Sequence, residues 1–155
     1  MKLTCLGISA VFILGCVKHP KDAALKASFQ RNYPALSNIV IELKAAPRVE
    51  RIEWDGTTMI VDSMQTNSPS LSGKLVPHFK AIGQPLLVRS VGDASQVLFY
   101  FSRRGLSVSG SMKGISYQET IPGRIVQDTD ASSRTNAPFT VFRPLQTNWF
   151  IFYSR

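Results

Sequence analysis

Apolar and polar residues alternate between Arg48 and Met64 in two short runs that flank the pair Asp55-Gly56. Alternation with a period of two predicts strands with one buried face, and Asp-Gly is a strong signal for a two-residue hairpin turn. A loop of two residues pairs Trp54 with Thr57, which predicts an antiparallel hairpin. The apolar side chains that share its core-facing side are Ile52, Trp54, Met59 and Val61.

Two further segments have the spacing of helices. Asp22 can cap a short helix over Ala23–Gln30, and Pro34 ends it because proline cannot donate a backbone hydrogen bond. A second short helix is predicted where apolar residues recur at helical spacing, at Leu71, Leu75, Phe79 and Ile82.

The remaining apolar runs are rich in β-branched and aromatic residues, which is typical of strands. They lie at Asn38–Lys44, Leu86–Val91, Gln96–Ser102, Leu106–Ser109, Ile115–Gln118, Phe139–Phe142 and Trp149–Tyr153. The unbroken apolar run 97–101 indicates a strand buried on both faces, and Gly114 indicates a bulge or bend. The last two runs predict a closing hairpin, and 121–136 is expected to be loop with a short helix at most.

The order of these elements predicts an α+β fold, with a mainly antiparallel sheet of about six to eight strands and one or two short helices on a face. Residues 1–15 are set apart as a leader, and 16–36 as a tether that contains the first helix. The stretch of about 18 residues from Val17 to Pro34 would reach at most about 60 Å if fully extended. Residues 37–155 are predicted to form a single globular domain.

The leader contains a run without charge, from Leu3 to Gly15, after the single Lys2. These 13 residues suit the apolar region of a signal peptide and are too few for an ordinary membrane-spanning helix. Lys18 and Lys21 follow and end the apolar pattern abruptly. The pattern favours an export signal over a buried N-terminal helix or an uncleaved single anchor.

Ile13, Leu14, Gly15 and Cys16 close this run and resemble a lipobox, the site that the bacterial lipoprotein signal peptidase recognises. The resemblance covers these four residues and the apolar run before them. It implies cleavage after Gly15, a diacylglycerol on the sulfur of Cys16 and an acyl chain on the new amino group. Several acyl chains hold a protein durably at a membrane. By the same resemblance, Val17 in place of an aspartate implies the outer membrane, facing the periplasm, rather than the inner membrane.

The chain carries a net charge of +8, which becomes +7 when Lys2 leaves with the signal. A basic balance favours anionic partners and says nothing about fold. Lipid headgroups, an envelope polysaccharide and an acidic protein fit this charge, whereas nucleic acid is not expected at an exported address. Arg103 and Arg104, at a predicted exposed turn, are the candidate contacts for an anion or partner, and simple solvated charges are the alternative.

The residues that most enzymes use for nucleophilic or metal chemistry are scarce. Cys5 and Cys16 are the only cysteines, and His19 and His78 are the only histidines. Nucleophilic catalysis needs an activated nucleophile with a base in reach, and zinc sites draw mostly on cysteine and histidine. No catalytic residue, metal site or cofactor is therefore expected.

Acidic residues offer two weak signals. A segment that begins at Asp128 resembles a calcium loop, but Ser133 and Phe139 replace the glycine and the bidentate glutamate that such a loop requires. A pair of carboxylates could also cleave a glycosidic bond. The acidic residues available for such a pair are Glu42, Glu50, Glu53, Asp55, Asp62, Asp93 and Glu119.

These observations favour a non-enzymatic envelope lipoprotein that acts as a binding or assembly module at the periplasmic membrane surface. An immunity-type lipoprotein, which blocks an incoming toxin, is one form of that hypothesis. The alternative from another class is a carboxylate-dependent hydrolase of cell-wall glycan.

Overall fold

The computed structural model describes residues 18–46, 49–63, 69–92, 94–104, 110–132 and 139–155. Within these ranges the chain forms helices and strands in mixed order. They are α1 (Asp22–Ala45), β1 (Val49–Trp54), β2 (Met59–Ser63), α2 (Pro69–Ile82), β3 (Leu86–Val91), β4 (Gln96–Arg104), β5 (Ser111–Gln118), α3 (Thr129–Ser132), β6 (Thr140–Gln146) and β7 (Trp149–Ser154).

The strands form one sheet in the order β2-β1-β3-β4-β5-β7-β6, and every neighbouring pair is antiparallel. This confirms the predicted α+β fold with a mainly antiparallel sheet. Helices α1 and α2 pack together on one face, here called the helix face. None of the described helices packs on the opposite face, here called the helix-free face.

Helix α1 corrects the sequence prediction in length and extent. It runs for 24 residues through Pro34 and includes the segment 38–44 that was predicted as a strand. The tether boundary at residue 36 therefore falls inside a helix, whose Leu25 and Phe29 are buried in the domain. Ile39, Val40 and Leu43 are buried as well, so packing of one helical face outweighs both the proline and the strand propensity of the β-branched run.

The hairpin of β1 and β2 has the predicted faces but a different register. Trp54 pairs with Met59 rather than with Thr57, so the loop contains four residues instead of two. The carboxylate of Asp55 accepts hydrogen bonds from the backbone N–H groups of Thr57 and Thr58, both at 2.7 Å, and so fixes the longer turn. A shift of two residues keeps each side chain on its face, and Ile52 and Trp54 are buried as expected.

The other predicted elements are largely confirmed. Leu71, Leu75, Phe79 and Ile82 are buried on α2. The closing hairpin is formed by β6 and β7, and Trp149 to Tyr153 are all buried; its turn is shorter than expected because β6 continues to Gln146. The strand predicted at 106–109 lies outside the described residues.

Gly114 lies opposite the β-bulge that interrupts β4 between Tyr100 and Ser102. A Cβ at this glycine would lie 1.9 Å from the carbonyl oxygen of Phe99. Only a residue without a side chain lets β4 and β5 approach so closely. The predicted irregularity at Gly114 is thus confirmed, with the extra residue on the partner strand.

The two faces of the sheet have separate apolar clusters. The larger lies between the sheet and helices α1 and α2, and includes Leu36, Ile39, Phe79, Phe99 and Trp149. The smaller lies on the helix-free face and consists of Leu87, Tyr100, Phe142, Phe150 and Phe152. The unbroken apolar run in β4 is explained by these clusters, because its residues contribute alternately to both.

Candidate functional site

The residues of the predicted lipidation signal, Ile13, Leu14, Gly15 and Cys16, lie outside the described residues. The described chain begins just after them, at Lys18. None of the described helices is both long and apolar enough to span a membrane.

Arg103 and Arg104 are the last two residues of β4 rather than part of a turn. Adjacent residues in a strand point to opposite faces of the sheet. Arg103 is exposed on the helix-free face and lines a groove with Tyr100 and Met112. Arg104 lies on the helix face, where its charge acts on His19. The two guanidinium groups therefore do not form a single binding patch.

On the helix face, His19 attaches the start of the described chain to the sheet. Its Nδ1 lies 2.5 Å from Oγ of Ser102, and its Nε2 lies 2.7 Å from Oγ of Ser111. The ring also packs edge-on against Tyr153, with the ring centroids 5.6 Å apart. Burial lowers the pKa of His19, and the nearby charges of Arg104 and Lys113 lower it further, so the neutral imidazole is favoured.

Next to His19, a buried ionic cluster attaches the first residue of α1 to β5, β6 and α3. Asp22 and Lys113 are both almost fully buried, and Nζ of Lys113 lies 2.7 Å from Oδ1 of Asp22. Arg143 donates a hydrogen bond of 3.0 Å to Oδ2 of the same carboxylate, and Thr129 donates from its backbone N–H at 2.9 Å. Lys113 also forms an ion pair with Asp130.

These contacts decide the charge state of Asp22. Burial by itself would raise the pKa of its carboxyl group, but the hydrogen bonds from Lys113, Thr129 and Arg143 outweigh burial and hold the pKa below its ordinary value. Asp22 was predicted as a helix cap. The capping position is Lys21 instead, and Asp22 serves as the acceptor at the centre of the cluster.

The apparent calcium signal belongs to the same cluster. Oxygen atoms of Asp22, Asp128 and Asp130 lie within 4.8 Å of one another, a spacing that could hold a cation. In this structure the ammonium of Lys113 and the guanidinium of Arg143 already bind the Asp22 carboxylate. The arrangement is therefore explained as an internal ion-pair network.

On the helix-free face, a groove runs across β1, β3 and β4. Two adjoining cavities of about 400 and 370 Å³ form it, and they share Leu87, Tyr100 and Arg103 as lining residues. Arg51 and Arg89 lie directly opposite each other on β1 and β3, and both are exposed. This groove is the candidate functional site and is here called the arginine groove. It is lined by three arginines and by four carboxylates, Glu50, Glu53, Asp55 and Asp62.

The arginines of this groove differ in their partners. Arg51 forms an exposed ion pair with Glu53, whereas no carboxylate among the described residues forms an ion pair with Arg89 or Arg103. Burial raises the pKa of the Tyr100 hydroxyl. The charges of Arg89 and Arg103 and a hydrogen bond from Arg89 lower this pKa, but burial outweighs them. Arg89 and Arg103 therefore place two positive charges near one buried tyrosine.

Four of the acidic residues that could serve a hydrolase line the arginine groove: Glu50 and Asp62 in one cavity, and Glu53 and Asp55 in the other. Glu42 forms an ion pair with Lys74 at 3.2 Å, and Glu119 forms one with Lys44 at 2.6 Å. Asp93 lies outside the described residues. His78 is half-buried on α2.

Sequence reasoning found Arg103 but missed Arg89, Arg51 and the buried cluster around Lys113. Arg51 lies on the side of β1 opposite its core-facing residues, and the register of β1 with β3 places it beside Arg89. That register pairs strands that are far apart in the sequence, and no local sequence pattern predicts it.

No protein-family model, curated protein or solved structure matches the chain.

Proposed function

We propose that this protein is a non-enzymatic lipoprotein of the bacterial envelope, held at the membrane through Cys16, and that it binds an acidic protein segment in the arginine groove. The observation that carries the binding proposal is that Arg89 and Arg103 both act on Tyr100 in the groove, and neither forms an ion pair with a carboxylate among the described residues. Arg51, directly opposite Arg89, is already balanced by Glu53 and also faces Asp62 on β2. The charges of Arg89 and Arg103 are therefore the ones that a bound anion would neutralise.

The walls of the groove favour a carboxylate-bearing protein over a polysaccharide. Half-buried Met112 provides an apolar contact beside the charges. Tyr100 is only 6% exposed, so it offers no free ring face on which a sugar could stack. Arginine binds carboxylates with two parallel hydrogen bonds, which gives such a site geometric selectivity.

The binding proposal is tested with Arg89→Gln/Arg103→Gln, and Lys26→Gln/Arg31→Gln is the matched control. Both double variants remove two exposed positive charges, but the control removes them from α1. A partner recovered from an envelope fraction, and a glutamate-rich peptide as a defined probe, are measured for association and dissociation rates. The groove variant is expected to slow association about tenfold at low salt, and the control much less.

The stability of the same proteins provides a second measurement. Removal of one arginine from the opposed pair, as in Arg89→Gln, is expected to leave stability unchanged or to raise it by about 0.2–1 kcal/mol while binding weakens. Equal binding by both double variants would show that only the overall charge matters. Turnover of an envelope glycan that is lost in Glu50→Gln or Asp62→Asn would favour a hydrolase instead.

The anchor is tested separately. Cys16→Ala is expected to abolish incorporation of labelled fatty acid, because the sulfur that would carry the diacylglycerol is gone. Labelling that persists in this variant would contradict the lipoprotein proposal without affecting the groove.

A further inference from the structure

The two ends of the sheet differ in their strand ends, turns and charged residues. At one end, here called the near edge, lie the last residue of β4, the first residue of β5 and the neighbouring ends of β6 and β7. At the other end, here called the far edge, lie the turn between β6 and β7 and the end of β5 at Gln118. Helix α1 runs from the near edge, at Asp22, to the far edge, where Lys44 bonds to Glu119.

The chain enters the domain at the near edge and is held there. His19 is bonded to Ser102 and Ser111, both within a few residues of the strand ends. Three residues later, Asp22 is fixed in the buried ionic cluster. The entry point is thus determined by buried contacts rather than by a loose tether.

This entry point shortens the reach of the proposed anchor. Cys16 precedes His19 by three residues, which span at most about 11 Å when fully extended. The sequence alone had allowed about 60 Å. Helix α1 is about 36 Å long, so the domain is several times larger than the link that would join it to the lipid.

The near edge also has the charge that a membrane attracts. Lys18 and Lys21 are exposed there, and half-buried Arg104 acts on His19. Asp128 is exposed beside them and Asp130 forms an ion pair with Lys113, so basic side chains outnumber acidic ones at this edge. At the far edge, the described charges near the end of α1 are Lys44 and Glu119, which neutralise each other. Basic residues close to an anionic leaflet are attracted to its headgroups.

We infer that the near edge is the membrane-facing surface of this protein and lies against anionic phospholipid headgroups. The inference rests on the proposed lipid anchor at Cys16 and adds the orientation of the domain. It directs the far edge, with the turn between β6 and β7, away from the bilayer.

Two threonines of the β6–β7 hairpin provide a matched pair of probes. Thr140 lies at the near edge and Thr147 at the far edge; both are exposed, and the strand between them spans about 23 Å. There is no cysteine after Cys16, so Thr140→Cys and Thr147→Cys each introduce one labelling site. The full-length lipidated variants are labelled with a fluorophore and reconstituted into vesicles of phosphatidylethanolamine and phosphatidylglycerol that contain a headgroup-attached quencher.

We expect loss of fluorescence for the label at position 140 and little or none for the label at position 147. Equal quenching of both labels, or stronger quenching at position 147, would overturn the inferred orientation. Incorporation of labelled fatty acid is measured on the same samples. Its absence would refute the anchor itself, whereas its presence together with equal quenching would refute only the orientation.

Discussion

The buried ion pair between Lys113 and Asp22 offers the sharpest test of how this fold is held together. Lys113→Met removes the ammonium but keeps a side chain of similar length, so it leaves no large cavity. The Asp22 carboxylate stays buried and charged, and it loses a partner 2.7 Å away. The variant therefore isolates the electrostatic consequence of the missing charge.

The expected loss follows from the contacts that remain. Removal of one partner from a buried ion pair typically costs about 3–5 kcal/mol, because the other charge is left without compensation. Here Arg143 still donates at 3.0 Å, and the backbone of Thr129 at 2.9 Å, to the same carboxylate. We therefore expect Lys113→Met to lower the free energy of unfolding by about 3 kcal/mol, near the lower end of that range. This loss is large compared with the free energy of unfolding of a typical domain, about 5–15 kcal/mol.

Urea unfolding measures this loss, with Lys44→Met as the control. Lys44 bonds to Glu119 at a similar distance, 2.6 Å, but both side chains are more than a third exposed. An exposed pair of this kind contributes about 1 kcal/mol or less. A loss for Lys113→Met that is no larger than for Lys44→Met would refute the argument from burial. Asp22→Asn combined with Lys113→Met should then restore part of the stability, because the stranded charge is gone.

Three further predictions, the first with a control variant, concern particular positions. Gly114→Ala should destabilise the domain by more than about 3 kcal/mol, since its Cβ would clash with the carbonyl of Phe99. The control Gly73→Ala has open space around its Cβ on α2 and should be neutral or stabilise by up to about 1 kcal/mol. Thermal unfolding compares the two variants. Gly56→Val should cost about 1–3 kcal/mol in the same assay because φ is +109° there, and an unchanged melting temperature would contradict the turn geometry. His19 has a lowered pKa, so its contribution to stability is complete above the ordinary histidine pKa and declines as the pH falls below it. His19→Gln should remove this part of the decline, which urea unfolding measures below about pH 6.5.

Local patterns determined much of the sheet from the sequence. The alternation in β1 and the helical spacing in α2 each predict one buried face, and the aromatic run of β7 predicts a core strand; the structure buries these residues. Such patterns are readable because the period of the side chains is fixed by the backbone. The near absence of cysteine and histidine after residue 19 was likewise plain in the sequence, as was the lipobox-like segment that ends at Cys16.

Two features differ from what local patterns predicted. Packing against the sheet keeps residues 38–44 helical and carries α1 through Pro34, although the local sequence favours a strand and a stop. Within the first hairpin, local hydrogen bonds of the Asp55 side chain lengthen the loop by two residues. The packing of α1 outweighs strand propensities of a few tenths of a kcal/mol to about 1 kcal/mol per residue, and the cost of about 3 kcal/mol for a proline inside a helix.

The candidate sites depended most on long-range contacts. Arg51 and Arg89 are 38 residues apart in the sequence and become neighbours only through the pairing of β1 with β3. Asp22, Lys113 and Arg143 come from α1, β5 and β6 and meet in one buried cluster. The sequence supplied these charges, but the register of the sheet and the docking of α1 determined which of them face each other, because those arrangements are set by the packing of the whole core.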